Sequence, residues 1–127
     1  MRHRRLLLGA GPDARPVCEL AGFLGWHVTA WDHRAAYADP RHFPRARVVR
    51  HAPADELSRE LLLDDYAAAV VMSHHLESDG RYLLQLASCR IPYVGLLGPA
   101  HRREKLLGDL GPLAAALRPR LRARRAR

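Results

Sequence analysis

The chain has 127 residues, of which 48% are hydrophobic, and carries a formal net charge of +8. This length predicts one domain with a core of its own, and the longest apolar runs are too short to span a membrane. Its two cysteines, Cys18 and Cys89, belong to no paired motif, and histidines and cysteines show no zinc spacing. We therefore predict a reduced cytoplasmic protein with neither membrane contact nor a metal site.

The positive charge is concentrated near the C-terminus. Six arginines fall within the last ten residues: Arg118, Arg120, Arg122, Arg124, Arg125 and Arg127. Such a run is usually a solvated tail that attracts polyanions without specificity, so we expect no specific nucleic-acid partner. The sequence is accordingly divided into a folded domain at 1–110 and, at 111–127, a short helix with a partly disordered arginine-rich tail.

Short apolar strands alternate with helices along most of the chain. We predict strands at 5–9, 27–31, 47–50, 67–73 and 93–96, and helices at 12–24, 53–63, 78–87 and 99–107. The fourth strand is apolar on both faces, as a central parallel strand covered by helices on both sides requires. This alternation predicts an α/β fold: a Rossmann-like, doubly wound parallel sheet of about five strands in three layers.

A glycine-rich turn follows the first strand and has the G-x-G-x-x-A spacing of a dinucleotide-binding fingerprint. Gly9 permits the tight turn, Gly11 leaves room for a phosphate, and Ala14 lets the helix lie close to the sheet. Pro12 and Asp13 complete the start of the helix, whose unpaired N–H groups attract an anion. The alternative interpretation is a tight strand-to-helix turn that binds nothing.

The second strand ends on Asp32, at the distance where dinucleotide-binding folds place an acid that holds ribose hydroxyls. The alternative for Asp32 is a solvated strand end. Arg34 either neutralises a terminal phosphate on such a ribose or is an ordinary surface arginine. His33 lies between the two and is included in the predicted cofactor site.

The remaining candidates follow the fourth and fifth strands, because parallel sheets bind ligands beyond the carboxyl ends of their strands. Ser73 and His74 come first. His74 either faces the cleft as a hydrogen-bond donor, a proton carrier, or a metal or cofactor contact, or is a loop histidine bonded to backbone. Gly95 and Gly98 permit close approach of a ligand or make a plain turn. Arg102, near a helix N-terminus, is explained by an anion in the cleft or by simple surface exposure. No catalytic group is predicted.

Several segments together resemble the Rossmann-like domain of the XdhC/CoxI family over about residues 6–108. The segments are 8–14, 24–34, 70–74 and 93–99, followed by Arg102 and Arg103. The resemblance implies a non-catalytic chaperone that binds molybdenum cofactor, protects it and delivers it to an apo molybdenum hydroxylase of the xanthine dehydrogenase type. A pterin phosphate suits a glycine turn at a helix N-terminus as a pyrophosphate does.

The sequence departs from the family pattern in two places. A further glycine-containing segment and final helix are replaced by Gly111, Pro112 and the arginine run, and no part matches the family's separate N-terminal domain. A truncated sheet edge predicts a homodimer. The alternatives are a regulatory nucleotide-binding module and an NAD(P)-dependent oxidoreductase. The oxidoreductase is disfavoured because the sequence offers no tyrosine–lysine pair for catalysis: Lys105, the single lysine, lies well after the cleft loops.

Overall fold

The computed structural model describes residues 3–123. Its strands are β1 (Arg4–Leu8), β2 (His27–Asp32), β3 (Val48–His51), β4 (Ala68–Val71), β5 (Tyr93–Leu96) and β6 (Leu121–Ala123). Its helices are α1 (Ala14–Phe23), α2 (Leu57–Glu60), α3 (Leu76–Ala87), α4 (Ala100–Asp109) and α5 (Ala114–Leu117). None of these helices is long and apolar enough to cross a membrane.

All strands pair in parallel in one sheet of order β3-β2-β1-β4-β5-β6. This confirms the predicted Rossmann-like α/β fold, with six strands in the described residues instead of about five. The strand order reverses between β1 and β4, where Leu8 lies opposite Val71. A crevice at the carboxyl ends of these two strands is the usual ligand site in such a sheet.

The sheet buries a separate apolar cluster on each face. Leu6 and Leu8 belong to the cluster that contains α3 residues, whereas Leu7 belongs to the one that contains α1 residues. Successive strand residues point to opposite faces, so an unbroken apolar run is what a strand covered on both sides requires. The three-layer arrangement follows from this burial.

The C-terminal segment supplies the sixth strand, which the sequence reasoning missed. Leu117 of α5 is fully buried in the core, and β6 pairs with β5, with Leu121 opposite Val94. The short helix expected after residue 110 is α5, whereas residues 118–123, expected as part of the arginine-rich tail, run through a 3-10 turn into β6 of the same sheet. The disorder predicted for residues 124–127 lies outside the described residues.

The predicted helix at 53–63 is replaced by α2 between two short 3-10 turns, at Ala54–Glu56 and Leu63–Asp65. Leu57 and Leu63 are both buried, but six residues apart on one helix they would point about 120° apart. Leaving the helix after α2 lets both side chains enter the core. Similarly, α3 begins two residues earlier than predicted because the ring of His75 accepts a hydrogen bond from the Ser78 amide and caps the helix.

Candidate functional site

The turn between β1 and α1 lies at the point where the strand order reverses. Three of its amides already donate to acceptors within the chain, those of Gly9, Ala10 and Ala14. Pro12 has no amide hydrogen. The amides of Gly11 and Asp13 have no acceptor within residues 3–123, which leaves two donors at the start of a ten-residue helix for an anion.

The two glycines of the turn have different structural roles. Gly9 has φ of +121°, and a Cβ there would lie 2.4 Å from the backbone nitrogen of Ser73. The first glycine therefore permits the turn to contact the end of β4. At Gly11 the nearest atom to a Cβ would be a carboxylate oxygen of Asp13, at 3.3 Å. That flexible carboxylate is the one group that a Cβ at Gly11 would meet within 4 Å among the described residues.

Three charged or titratable side chains meet beside this turn. His74 is the one non-glycine residue with positive φ (60°) among those described, and its Nε2 is hydrogen-bonded to the carboxylate of Asp13. Arg102 Nη1 donates to the backbone carbonyl of His74 at 3.1 Å. The side chains of His74 and Asp13 are 43% and 47% exposed. Strained backbone of this kind clusters at ligand sites, and the imidazole and the guanidinium are groups that bind phosphate.

Asp32 is fully buried, and each of its carboxylate oxygens accepts two hydrogen bonds from the chain. Oδ1 accepts from the backbone nitrogen and Nε of Arg34 at 2.8 and 2.9 Å. Oδ2 accepts from the Ala10 amide at 2.7 Å and from Arg34 Nη2 at 2.9 Å. Burial acts to raise the pKa of Asp32, but the hydrogen bonds from Arg34 and Ala10 outweigh it and hold the pKa below its usual value.

Arg34 is held in place from three directions. Besides the bonds to Asp32, its Nη2 donates to the backbone carbonyl of Ser73 at 3.1 Å, and its guanidinium lies 4.4 Å from the ring centroid of Tyr37. The bond to Asp32 is the main cause that raises the pKa of Arg34. The arginine thus joins the ends of β2 and β4 and covers the carboxylate predicted to hold ribose.

A buried polar group lies behind the crevice. Asp79, in the first turn of α3, points back toward β4, and its Oδ1 accepts hydrogen bonds from the amide and hydroxyl of Ser73. Its Oδ2 and the hydroxyl of Tyr82 are buried without a hydrogen-bond partner in the described residues. Burial raises the pKa of Asp79 and of Tyr82. Asp79 therefore fixes the backbone that leads into His74.

His33 faces the start of α3. Its Nε2 lies 3.3 Å from the hydroxyl of Ser78, and its ring centroid lies 5.2 Å from that of His75. Burial is the main cause that lowers the pKa of His33. Of the adjacent histidines after β4, His75 therefore caps a helix while His74 bonds to the glycine-rich turn.

The last two predicted glycines lie in different settings. Gly95 is inside β5, paired with Val70, and not in the loop that follows. Gly98 follows the strand with φ of +143°, and a Cβ there would lie 3.8 Å from Cδ of Arg102. At the crevice the structure brings together Gly9, Gly11, Pro12, Asp13, Ala14, Asp32, Arg34, Ser73, His74 and Arg102.

Comparison with known proteins identifies the family. A family model described as the XdhC Rossmann domain matches residues 6–123. The chain belongs to this family. The match extends through β6, beyond the 6–108 indicated by the sequence motifs, and so agrees with the sixth strand of the sheet.

Individual relatives of this XdhC Rossmann domain carry related names. The chain is 37% identical over 109 residues to a probable xanthine dehydrogenase subunit from Bacillus subtilis (strain 168), covering 86% of this chain and 33% of that protein. A crystal structure of a xanthine dehydrogenase from Bacillus halodurans superposes with a TM-score of 0.76 at 30% identity, covering 85% of this chain and 33% of the other. The chain thus spans about a third of the length of these relatives.

A more distant structure shares the fold alone. The NAD(P)-binding domain of an exopolyphosphatase-related protein from Archaeoglobus fulgidus has a TM-score of 0.68 at 17% identity, covering 87% of this chain and 84% of that domain. Because ligand chemistry varies widely on one fold, this likeness carries no argument about nucleotide binding here.

Proposed function

We propose that this domain binds molybdenum cofactor in the crevice between β1 and β4 and serves as a maturation factor for a xanthine-dehydrogenase-type molybdenum hydroxylase. Family membership and the names of the relatives support the choice of client. The observation that carries the proposal is the turn at Gly11, which has two available amides and is contacted there only by the side chain of Asp13, beside His74 and Arg102. Delivery to the apo-enzyme in the cytoplasm is part of the same proposal.

The residues present fit the phosphate end of the cofactor. The N-terminus of α1 contributes a partial positive charge, the amides of Gly11 and Asp13 are donors, and the side chains of His74 and Arg102 supply further donors. The molybdenum centre supplies redox chemistry in the client enzyme. The residues of this chain bind and orient the phosphate.

The carboxylate of Asp13 is the group that must yield when a phosphate arrives. It lies over Gly11 and is bonded to His74, so it has the sign of charge and the partner expected of the ligand itself. Two anions in contact repel each other strongly. We therefore propose that the phosphate displaces the Asp13 carboxylate and takes over its contact with His74.

A binding measurement with matched glycine variants tests this function. Purified protein is mixed with molybdenum cofactor and passed over a gel-filtration column, and the molybdenum retained is measured. Gly11→Leu fills the open turn, whereas Gly108→Leu adds the same side chain to α4 where a Cβ meets nothing within 4 Å. We expect Gly11→Leu to retain at most about a tenth of the wild-type molybdenum, a loss of about 1.4 kcal/mol or more of binding free energy. The proposal is contradicted if Gly11→Leu retains as much molybdenum as the wild type, or if the wild type retains none.

A further inference from the structure

The acid at the end of β2 is present, but its hydrogen-bonding capacity is already used. An ionised carboxylate offers about four acceptor positions, and Asp32 receives four N–H bonds, three from Arg34 and one from Ala10. In dinucleotide-binding folds this acid accepts hydrogen bonds from a ribose. Here the side chain of Arg34 uses one acceptor position on each carboxylate oxygen of Asp32.

We infer that Arg34 is a specificity-determining residue that closes the ribose acceptor, so that the crevice takes a ligand held by a terminal phosphate monoester and rejects dinucleotides held through a ribose. The inference rests on the proposed function only for the placement of the ligand in the crevice. It also distinguishes that function from the NAD(P)-dependent and nucleotide-binding alternatives.

Charge explains why a ribose does not displace Arg34. A ribose diol brings no positive charge, so its entry would leave the buried Asp32 carboxylate without a counter-ion, an unfavourable state in a protein interior. The planar guanidinium meets the carboxylate with two side-chain bonds in a fixed geometry. Its additional contacts with the carbonyl of Ser73 and the ring of Tyr37 further oppose its release.

The test is a calorimetric titration of ADP-ribose, NAD and NADP into the full chain and two leucine variants. Arg34→Leu uncovers Asp32. Arg41→Leu is the matched control, because Arg41 donates to Asp39 through its backbone nitrogen, Nε and Nη2 with the same two-residue spacing, but in an exposed 3-10 turn. We expect no saturable binding by the wild type or Arg41→Leu. Arg34→Leu should bind ADP-ribose and NAD with a Kd at least about tenfold below the weakest affinity that the titration of the wild type would detect.

Arg34→Lys covers the case in which Arg34→Leu does not fold. Lysine keeps the positive charge but makes no two-pronged contact, so we expect a smaller gain in ADP-ribose affinity than with leucine. Three results would overturn the inference. The wild type binds NAD and Asp32→Asn abolishes that binding, or the wild type binds NADP and Arg34→Leu abolishes it. The third is that the Arg34 variants fold but bind ADP-ribose and NAD no more tightly than the wild type.

The same proteins separate this inference from the proposed function. If the wild type retains molybdenum cofactor but the Arg34 variants gain no affinity for nucleotides, the role of Arg34 is wrong and the cofactor function stands. If those variants gain affinity for nucleotides but the wild type retains no molybdenum cofactor, the proposed function is wrong and the role of Arg34 stands.

Discussion

Gly9 determines how closely the glycine-rich turn approaches β4. Replacing it with alanine combines an unfavourable φ of +121° with a Cβ placed 2.4 Å from the backbone of Ser73. We expect Gly9→Ala to lower the free energy of unfolding by about 2–4 kcal/mol, measured as a fall in the urea midpoint.

Gly108→Ala is the control for this substitution. Gly108 lies in α4, and a methyl group added there meets nothing within 4 Å. Because alanine favours the helix more than glycine does, the substitution should stabilise the protein by about 0.5–1 kcal/mol. A Gly9→Ala variant that unfolds at the wild-type midpoint would show that the close contact with β4 is not required.

Asp79 makes stability depend on pH. Because burial raises its pKa, the folded protein holds a proton on Asp79 over a pH range in which the unfolded chain has lost it. The stability associated with this group is complete below the unfolded pKa of about 3.8 and is lost as pH rises through the folded value.

Asp79→Asn removes this titration while keeping an oxygen for Ser73. Urea unfolding from pH 4 to pH 8 should show the variant gaining stability relative to the wild type as pH rises. The lowered pKa of Asp32 acts in the opposite direction, toward loss of stability in acid, but it is common to both proteins and cancels in the difference. If Asp79→Asn instead loses stability relative to the wild type as pH rises, the ionised carboxylate is required for folding.

At the scale of elements, Arg120 joins the end of α3 to the C-terminal segment. Its guanidinium donates to the carbonyls of Cys89 and Ile91 at 3.0 and 2.8 Å and to that of Leu86 at 3.1 Å. Leu86 lies in the last turn of α3, and a cation at this end is favoured by the helix dipole. The contacts also fix the segment that leads into β6.

Arg120→Met keeps most of the aliphatic stem and removes these hydrogen bonds. We expect a loss of about 1–3 kcal/mol in the free energy of unfolding. Arg118→Met is the comparison, because Arg118 is exposed and its side chain makes no hydrogen bond within the described residues. The effect of this substitution should stay within about 0.5 kcal/mol. Equal effects of the two variants would contradict a capping role for Arg120.

Elements with strong local patterns were predictable from the sequence, whereas those set by distant contacts were not. The turn and β1 to β2 follow from glycine spacing and apolar runs. In contrast, β6 has only three residues within an arginine-rich stretch, and it forms because β5 offers an edge. Similarly, the position of Asp32 was predictable but its pairing with Arg34 was not, because contacts with Ser73 and Tyr37 orient that side chain.

At the scale of the whole molecule, the predicted homodimer depends on which edge of the sheet is available. The β6 edge is short and carries the exposed Arg122, features that discourage pairing with another chain. The opposite edge, β3, exposes Val48. If a second copy covers an edge, β3 is therefore the edge we expect it to cover.

Sedimentation velocity tests this arrangement. We expect a dimer for the wild type and a monomer for Val48→Lys, because a lysine on an edge strand opposes edge-to-edge pairing. Leu62→Lys alters an exposed loop residue and should remain dimeric. A monomeric wild type, or a dimeric Val48→Lys variant, would remove the predicted interface.

The decisive measurement on the crevice is a crystal structure of the chain with molybdenum cofactor bound. It should place the phosphate oxygens within hydrogen-bond distance of the Gly11 and Asp13 amides, with the Asp13 carboxylate turned away from His74 and Arg34 still on Asp32. A cofactor bound elsewhere on the sheet, or a glycine-rich turn still covered by Asp13, would contradict phosphate binding at the first strand-to-helix turn.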